Sequence, residues 1–313
     1  MIASLFRSIA AFTVLFTALA APAAPRAEHV FIISFDGGKP SVIAESEMPT
    51  LKGMAAEGAH TWVAQTIFPS ITLPSHTSML TGVGPDKHMI LWNTWVPGAG
   101  LVRVPTVFSE AKKGGVSTAM FVGKEKFKHL NLPGTLDEFS YPTARQTEVT
   151  KDSAAGKVGK TKTSKEGTVT ANVVSAEAAA YIIAKRPGLC FIHFADPDSA
   201  GHKYGWGTPE QIRAFAASDG ALAVVKAAIQ KAGIAATSVV IMSADHGGHD
   251  KTHGSNSPDD MNIPWIAWGR GVKKNFTITE RVTTFDTAAT ALWLLDRPLP
   301  AGFDGRPVTS AFE

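Results

Sequence analysis

The sequence predicts one α/β domain: a doubly wound, mainly parallel sheet with helices on both faces and a site at the carboxyl-terminal edge of its strands. Two observations predict the architecture. Short apolar, β-branched runs alternate with longer stretches of helical spacing, the pattern of strand–helix units. Three of those runs also lead straight into aspartates, at the place where an open parallel sheet binds its ligands.

The elements follow in chain order. His29–Phe35, Ser117–Val122, Leu189–Phe194 and Ser238–Ser243 are continuous apolar runs of strand length, as expected of strands covered on both faces. Val107–Lys113, Val173–Ala184, Pro209–Lys231 and Phe285–Leu295 have helical spacing. A further helix is expected to start near Thr72, in Thr72-Leu-Pro-Ser-His-Thr-Ser-Met-Leu80. Segment Tyr141–Thr170 is rich in Thr, Lys, Ser and Gly and reads either as a solvated excursion or as a cover over the site. No internal repeat and no second domain are evident.

The first residues read differently. Arg7 precedes an apolar run, Ile9 to Ala20, which is followed by Ala21-Pro22-Ala23. A basic start, an apolar core and small residues are the marks of a secretory signal peptide, here residues 1–23. A membrane anchor is the alternative, but a span needs roughly 20 apolar residues. Residues 24–313 then form the single domain, exported to the periplasm or secreted. A net charge of +3 argues against a protein that coats nucleic acid and is compatible with a small anionic substrate. The single cysteine, Cys190, excludes an internal disulfide and sits in an apolar run as a packing residue.

Chemistry concentrates after the predicted strands. Asp36 ends the first, Asp196 and Asp198 follow the third, and Asp245 follows the fourth. Asp198 and His202 stand four residues apart, Asp245 and His246 are adjacent before two glycines, and His253 comes soon after. Carboxylate oxygen and imidazole nitrogen suit zinc, and a catalytic zinc keeps a position open. One Asp-His pair would be an ordinary surface turn; several on one sheet edge imply a metal site.

These residues, taken in order, carry a resemblance. Asp36-Gly37, then Phe68-Pro-Ser-Ile-Thr72-Leu-Pro-Ser-His76, Asn93, Pro197-Asp198-x-x-Gly201-His202-x-x-Gly205, Asp245-His246-Gly247 and His253-Gly254 resemble the nucleotide pyrophosphatase/phosphodiesterase family of the alkaline phosphatase superfamily. The resemblance implies two zinc ions. It implies Asp36, Thr72, Asp245 and His246 as ligands of one, and Asp198, His202 and His253 as ligands of the other. It also implies Thr72 as nucleophile, through a phosphothreonine, and Asn93 as donor to a non-bridging phosphoryl oxygen. Asp196, His249, His76, His88, His129 and His193 fall outside the pattern and read as structural. Sulfatases share the superfamily, but Thr72-Leu-Pro-Ser lacks their Cys/Ser and Arg.

Three features stay open at this level. Thr72 alone would read as a helix cap, since Thr favours that place; coordination would lower its hydroxyl pKa and make it a nucleophile. Trp92 and Trp95 read equally as pocket walls or core. Lys124-Glu125-Lys126 departs from the diesterases and resembles a basic-x-basic element of phosphonoacetate hydrolase and some zinc phosphomonoesterases. Lys124 and Lys126 are therefore either substrate contacts or part of a surface run continued by Lys128. The expected activity is hydrolysis of a small phosphorylated substrate, whether diester, pyrophosphate or monoester. Phosphonate or sulfatase-like hydrolysis, phosphoryl transfer and non-catalytic metal or phosphate binding are the alternatives.

Overall fold

The computed structural model describes residues 26–142 and 167–313. The N-terminal run read as a signal peptide, and residues 143–166 of the polar segment, lie outside the described residues. Eight strands form one sheet: β1 (His29–Phe35), β2 (Ala59–Gln65), β3 (Thr118–Val122), β4 (Glu138–Ser140), β5 (Leu189–Phe194), β6 (Ser238–Ser243), β7 (Asn262–Gly269) and β8 (Phe276–Thr277). Their order is β4-β3-β5-β1-β6-β7-β2-β8. Only β7 is antiparallel to its neighbours; the remaining pairings are parallel.

Side-chain alternation along the strands builds two cores. On β1, Val30 and Ile32 enter one core, and Phe31, Ile33 and Phe35 the other. On β5, Leu189 and Phe191 join the first, and Cys190, Ile192 and Phe194 the second. Both faces are therefore covered, which is why these strands read as unbroken apolar runs.

The helices are α1 (Pro40–Glu45), α2 (Pro49–Glu57), α3 (Thr72–Thr81), α4 (Pro85–His88), α5 (Val107–Lys113), α6 (Ala171–Lys185), α7 (Asp196–Tyr204), α8 (Pro209–Lys231), α9 (Pro258–Met261) and α10 (Asp286–Leu294). Helices α5 and α10 bury side chains in the first core, with Leu73, Met79 and Leu80 of α3; α1, α2, α6 and α8 bury theirs in the second. Thr208 accepts from the Gln211 amide ahead of Pro209 and so starts α8. Midway along α8, buried Asp219 accepts from the Thr50 and Leu51 amides at 2.9 and 2.7 Å and satisfies the free end of α2. No helix among the described residues is long and apolar enough to cross a membrane.

Candidate dimetal active site

Each site residue leaves the same edge of the sheet. Asp36 follows β1, Lys124 follows β3, Asp198 and His202 lie one turn apart on α7 after β5, and Asp245 and His246 follow β6. Thr72 is the first residue of α3. Ile71 holds the cap position and no side chain caps the helix, so the Thr72 hydroxyl is not spent as a cap. It is 1% exposed, and its Oγ1 lies 3.5 Å from His246 Nε2. The loop after β6 is pinned to α9: Gly247 and Gly248 amides donate to the Asp260 and Asp259 carbonyls, and buried Asp260 receives His249 and the Ser255 amide.

The imidazoles are oriented by backbone carbonyls. His202 Nδ1 donates to Lys251 O at 3.0 Å, His253 Nδ1 to Ser70 O at 2.9 Å and His246 Nδ1 to Gly247 O at 2.8 Å. Each ring therefore turns its Nε2 lone pair inward, the arrangement that outer partners impose on metal-ligating histidines. His202 and His253 face each other with Nε2 atoms 3.1 Å apart, and Asp198 Oδ1 lies 3.4 and 3.5 Å from them. Around the second group, His246 Nε2 lies 3.5 Å from Asp36 Oδ1, 3.2 Å from Asp245 Oδ2 and 3.5 Å from Thr72 Oγ1. A tetrahedral ion with bonds of about 2.0–2.1 Å spaces its ligands about 3.3–3.4 Å apart. The six separations fit that edge length in both groups. Asp36, Asp198 and His246 also bring donor atoms within 4.8 Å of one another, so the groups adjoin.

The carboxylates carry the second sign of a cation. Each has one oxygen tied and one left over. Asp36 Oδ2 receives His193 Nε2 at 2.8 Å and Lys124 Nζ at 2.7 Å; Asp198 Oδ2 receives Lys124 Nζ at 2.5 Å; Asp245 Oδ1 receives the Gly37 amide at 3.0 Å. Asp36 Oδ1, Asp198 Oδ1 and Asp245 Oδ2 are buried without a hydrogen-bond partner. Such orphans cost free energy unless something binds them, and each points at the imidazole lone pairs. Burial, and then the charge of Asp36, raises the Asp245 carboxyl well above the usual carboxylate range. Against the opposing effect of burial, Lys124 holds Asp36 and Asp198 below it. Burial, followed by the nearby His253, pushes His246 down to about 3, so it is a neutral donor. The residues present fit two divalent cations.

A cavity of about 510 Å³ opens beside these groups, lined among others by Thr72, Asn93, Trp95, Lys124, Lys126 and His202. Asn93 Oδ1 accepts from the Leu73 amide at 2.9 Å and from Lys126 Nζ at 3.0 Å. Lys124 is 7% exposed, so it is no surface charge; Lys128 pairs with Glu125 at the exterior. Trp95 lines the cavity, while Trp92 donates to His129 and ties down the loop that carries Asn93.

Two residues outside the motifs support the site. His193 accepts the Gly123 amide on Nδ1 at 3.3 Å and donates to Asp36, so it steers a candidate ligand from inside the sheet. Its only signal was a polar residue within a buried strand. Trp206 backs the whole site: its Nε1 donates to Gly37 O at 3.1 Å, and it meets His202 and His253 edge-on. Its signal was the glycine beside three ligand positions. A Cβ at Gly37, Gly201 or Gly248 would stand 3.1, 2.7 or 2.2 Å from the indole. His76 joins the same interior, donating to Thr72 O at 2.8 Å and accepting from Ser34 at 2.7 Å.

Comparison with known proteins adds family to geometry. The family model for type I phosphodiesterase / nucleotide pyrophosphatase matches residues 30–262. Mouse ectonucleotide pyrophosphatase/phosphodiesterase family member 7 is 22% identical over 238 residues, 71% of this chain and 50% of that protein. The chain spans about half the length of the first curated relatives it matches. Among solved structures, murine ectonucleotide pyrophosphatase/phosphodiesterase 5, an inactive variant in complex with AMP, superposes with a TM-score of 0.72 at 14% identity, covering 91% of this chain and 100% of that one. A phosphonate monoester hydrolase from Silicibacter pomeroyi gives 0.67 at 16% identity, covering 90% and 75%. At these identities the structural likeness speaks for the fold.

Proposed function

Because the chain belongs to the type I phosphodiesterase / nucleotide pyrophosphatase family, we propose that it is a two-zinc hydrolase of small phosphoric esters, with Thr72 as nucleophile. The observation that carries this reading is the pair of donor groups with tetrahedral spacing, one of which ends on the Thr72 hydroxyl. Asp198, His202 and His253 would hold one ion, and Asp36, Thr72, Asp245 and His246 the other. Bound there, the ions would supply Lewis acidity, lowering the pKa of the Thr72 hydroxyl and offsetting charge on the attacking and leaving oxygens.

The chain's own residues do the rest. Thr72 Oγ1, its proton given up to solvent, attacks phosphorus; the P–O bond to the alcohol breaks opposite it, the departing oxygen takes a proton from solvent, and a phosphothreonine forms. Water then attacks phosphorus from the vacated side and loses a proton to solvent, while Thr72 Oγ1 leaves and is reprotonated, restoring the free hydroxyl. Asn93 has its Oδ1 committed to Leu73 and Lys126, so its amide nitrogen is the end left to donate to a non-bridging oxygen, which stabilises charge without adding any. Lys126 lines the cavity and is the cation assigned to the transferred group, with Lys124 behind it. Export to the periplasm or beyond belongs to the same reading. It rests on the Ile9–Ala20 run and on relatives named as ecto-enzymes.

Thr72→Ala tests the proposal. Turnover of a chromogenic phosphate ester should fall by several orders of magnitude, while metal analysis still finds about two zinc ions per chain, because the other ligands come from other segments. A variant that keeps near-wild-type rates would remove Thr72 from the mechanism.

A further inference from the structure

We propose that Lys124 is a built-in counter-cation shared by the two metal groups: it aims their aspartates and holds their affinity for the ions below what the carboxylates alone would give. This inference rests on the two-zinc reading above.

Lys124 Nζ stands 2.7 Å from Asp36 Oδ2 and 2.5 Å from Asp198 Oδ2. Asp36 belongs to one donor group and Asp198 to the other, so one ammonium joins both. Among the described residues it is the only lysine or arginine paired with Asp36, Asp198 or Asp245; the other ion-pair partners are imidazoles. It contacts the outer oxygen of each carboxylate and leaves the inner one, Oδ1, without a partner. Each carboxylate is thereby presented through a single oxygen. An ammonium has three donors; two are used here, and one remains for the cavity that Lys124 lines.

Two consequences of losing Lys124 oppose each other. Asp198 Oδ2 would lose its partner and Asp36 Oδ2 would keep only His193, which loosens the ligands. Repulsion between the ammonium and the incoming dications would also vanish. That repulsion acts across a single carboxylate in a buried site, where Coulomb forces are weakly screened, whereas orientation rests on one or two hydrogen bonds. Charge therefore wins. Without Lys124 the ions should bind more tightly, and the protein without them should be weaker, because the carboxylates would have no full positive charge beside them. Lys124 thus keeps the site assembled before the ions arrive and keeps them exchangeable afterwards.

The test uses the full chain as wild type, Lys124→Met, Lys124→Gln and Lys124→Arg, with Asp198→Ala marking the site. Zinc affinity is read by competition with a chromophoric chelator, and the thermal midpoint is read in strong chelator and in excess zinc. Lys124→Met and Lys124→Gln should bind zinc about tenfold or more tightly than wild type. Both should lose several degrees in chelator and much less in zinc. Gln keeps a hydrogen-bond donor and Arg keeps the charge, so Gln should follow Met, and Arg should stay near wild type. Zinc affinity that is unchanged or weaker in Met and Gln, or equal thermal losses in both conditions, overturns the inference alone. Wild-type protein whose zinc binding is absent or indifferent to Asp198→Ala overturns the two-metal reading, and this inference with it.

Discussion

At the scale of the residue, the question is what the pocket can grip. Lys126 is half-buried and donates to Asn93 Oδ1 at 3.0 Å, so it lies one side chain from the place assigned to the phosphoryl group. A lysine there interacts more strongly with a monoester dianion than with a diester monoanion. A hydrogen bond to a charged group is worth about 1.5–3 kcal/mol, or about ten- to a hundredfold in rate. Lys126→Ala should therefore cost monoester turnover that much more than diester turnover, measured with one leaving group on both. Equal losses would return Lys126 to a structural role. The same residue sets a pH dependence. Burial first, and the Lys124 charge second, push Lys126 down to about 8. Its ammonium is present below that value and lost above it, and bound dications would lower the value further. Monoester kcat/KM should fall as pH rises through about 8 or below. Lys126→Arg, with a group that stays charged, should move that limb upward; a limb that does not move belongs to another group.

At the scale of the element, Thr72, Asp198 and His202 stand on helices, whereas the candidate ligands Asp36, Asp245, His246 and His253 lie on loops with little regular structure of their own. What they share is a plate. Trp206 follows α7 and packs beside Gly37 after β1, Gly201 on α7 and Gly248 after β6. Three segments far apart in sequence thus rest on one indole. Gly248 is the tightest contact, since a Cβ there would stand 2.2 Å from Trp206 Cε2, an atom inside a rigid ring. Gly248→Ala should push the indole toward His202 and His253, which it already meets at ring-centroid distances of 5.5 and 5.9 Å. Overpacking of this type costs about 1–3 kcal/mol. In zinc-loaded protein, an ion bound by Asp198, His202 and His253 should be lost first on titration with chelator, before one bound by the Asp36 group. Loss of both in parallel, or of neither, would show that Trp206 is packing and not a support. The sequence displayed the glycines but not their common partner, because contact between loops depends on the order of strands.

At the scale of the whole molecule, strands covered on both faces were the legible ones. β1, β5 and β6 are unbroken apolar runs, and each strand begins and ends where its run does. β2 was missed because it is partly exposed and carries His60, Thr61 and Gln65; β7 was missed because Pro264 interrupts it and because it runs against the sheet. The candidate ligands were legible because each lies within a few residues of a strand end. The bridge from Lys124 to Asp36 and Asp198 was not, since it requires β3, β5 and β1 to lie side by side. By that same convergence, ions bound there would be part of the fold. Three buried carboxylates with orphaned oxygens meet where β1 and β6 end and where α3 and α7 begin, so a cation there would stabilise segments from distant parts of the chain. Binding at about a hundred times the dissociation constant adds about 2.7 kcal/mol per site. For a domain of this size that is about 4–5 °C per site in the thermal midpoint. The midpoint should therefore climb with the logarithm of free zinc and drop in strong chelator, and Asp198→Ala should remove part of the zinc-dependent rise. Asp245 adds a pH term of known sign, because burial and Asp36 raise its carboxyl in the metal-free protein. A raised pKa means that the metal-free fold has this contribution in full below the unfolded value and loses it as pH climbs from there through the raised folded value, while metal binding needs the ionised form. The zinc-dependent gain should therefore grow between acid and neutral pH. A midpoint indifferent to zinc at every pH would show that the paired groups do not hold ions in the folded chain.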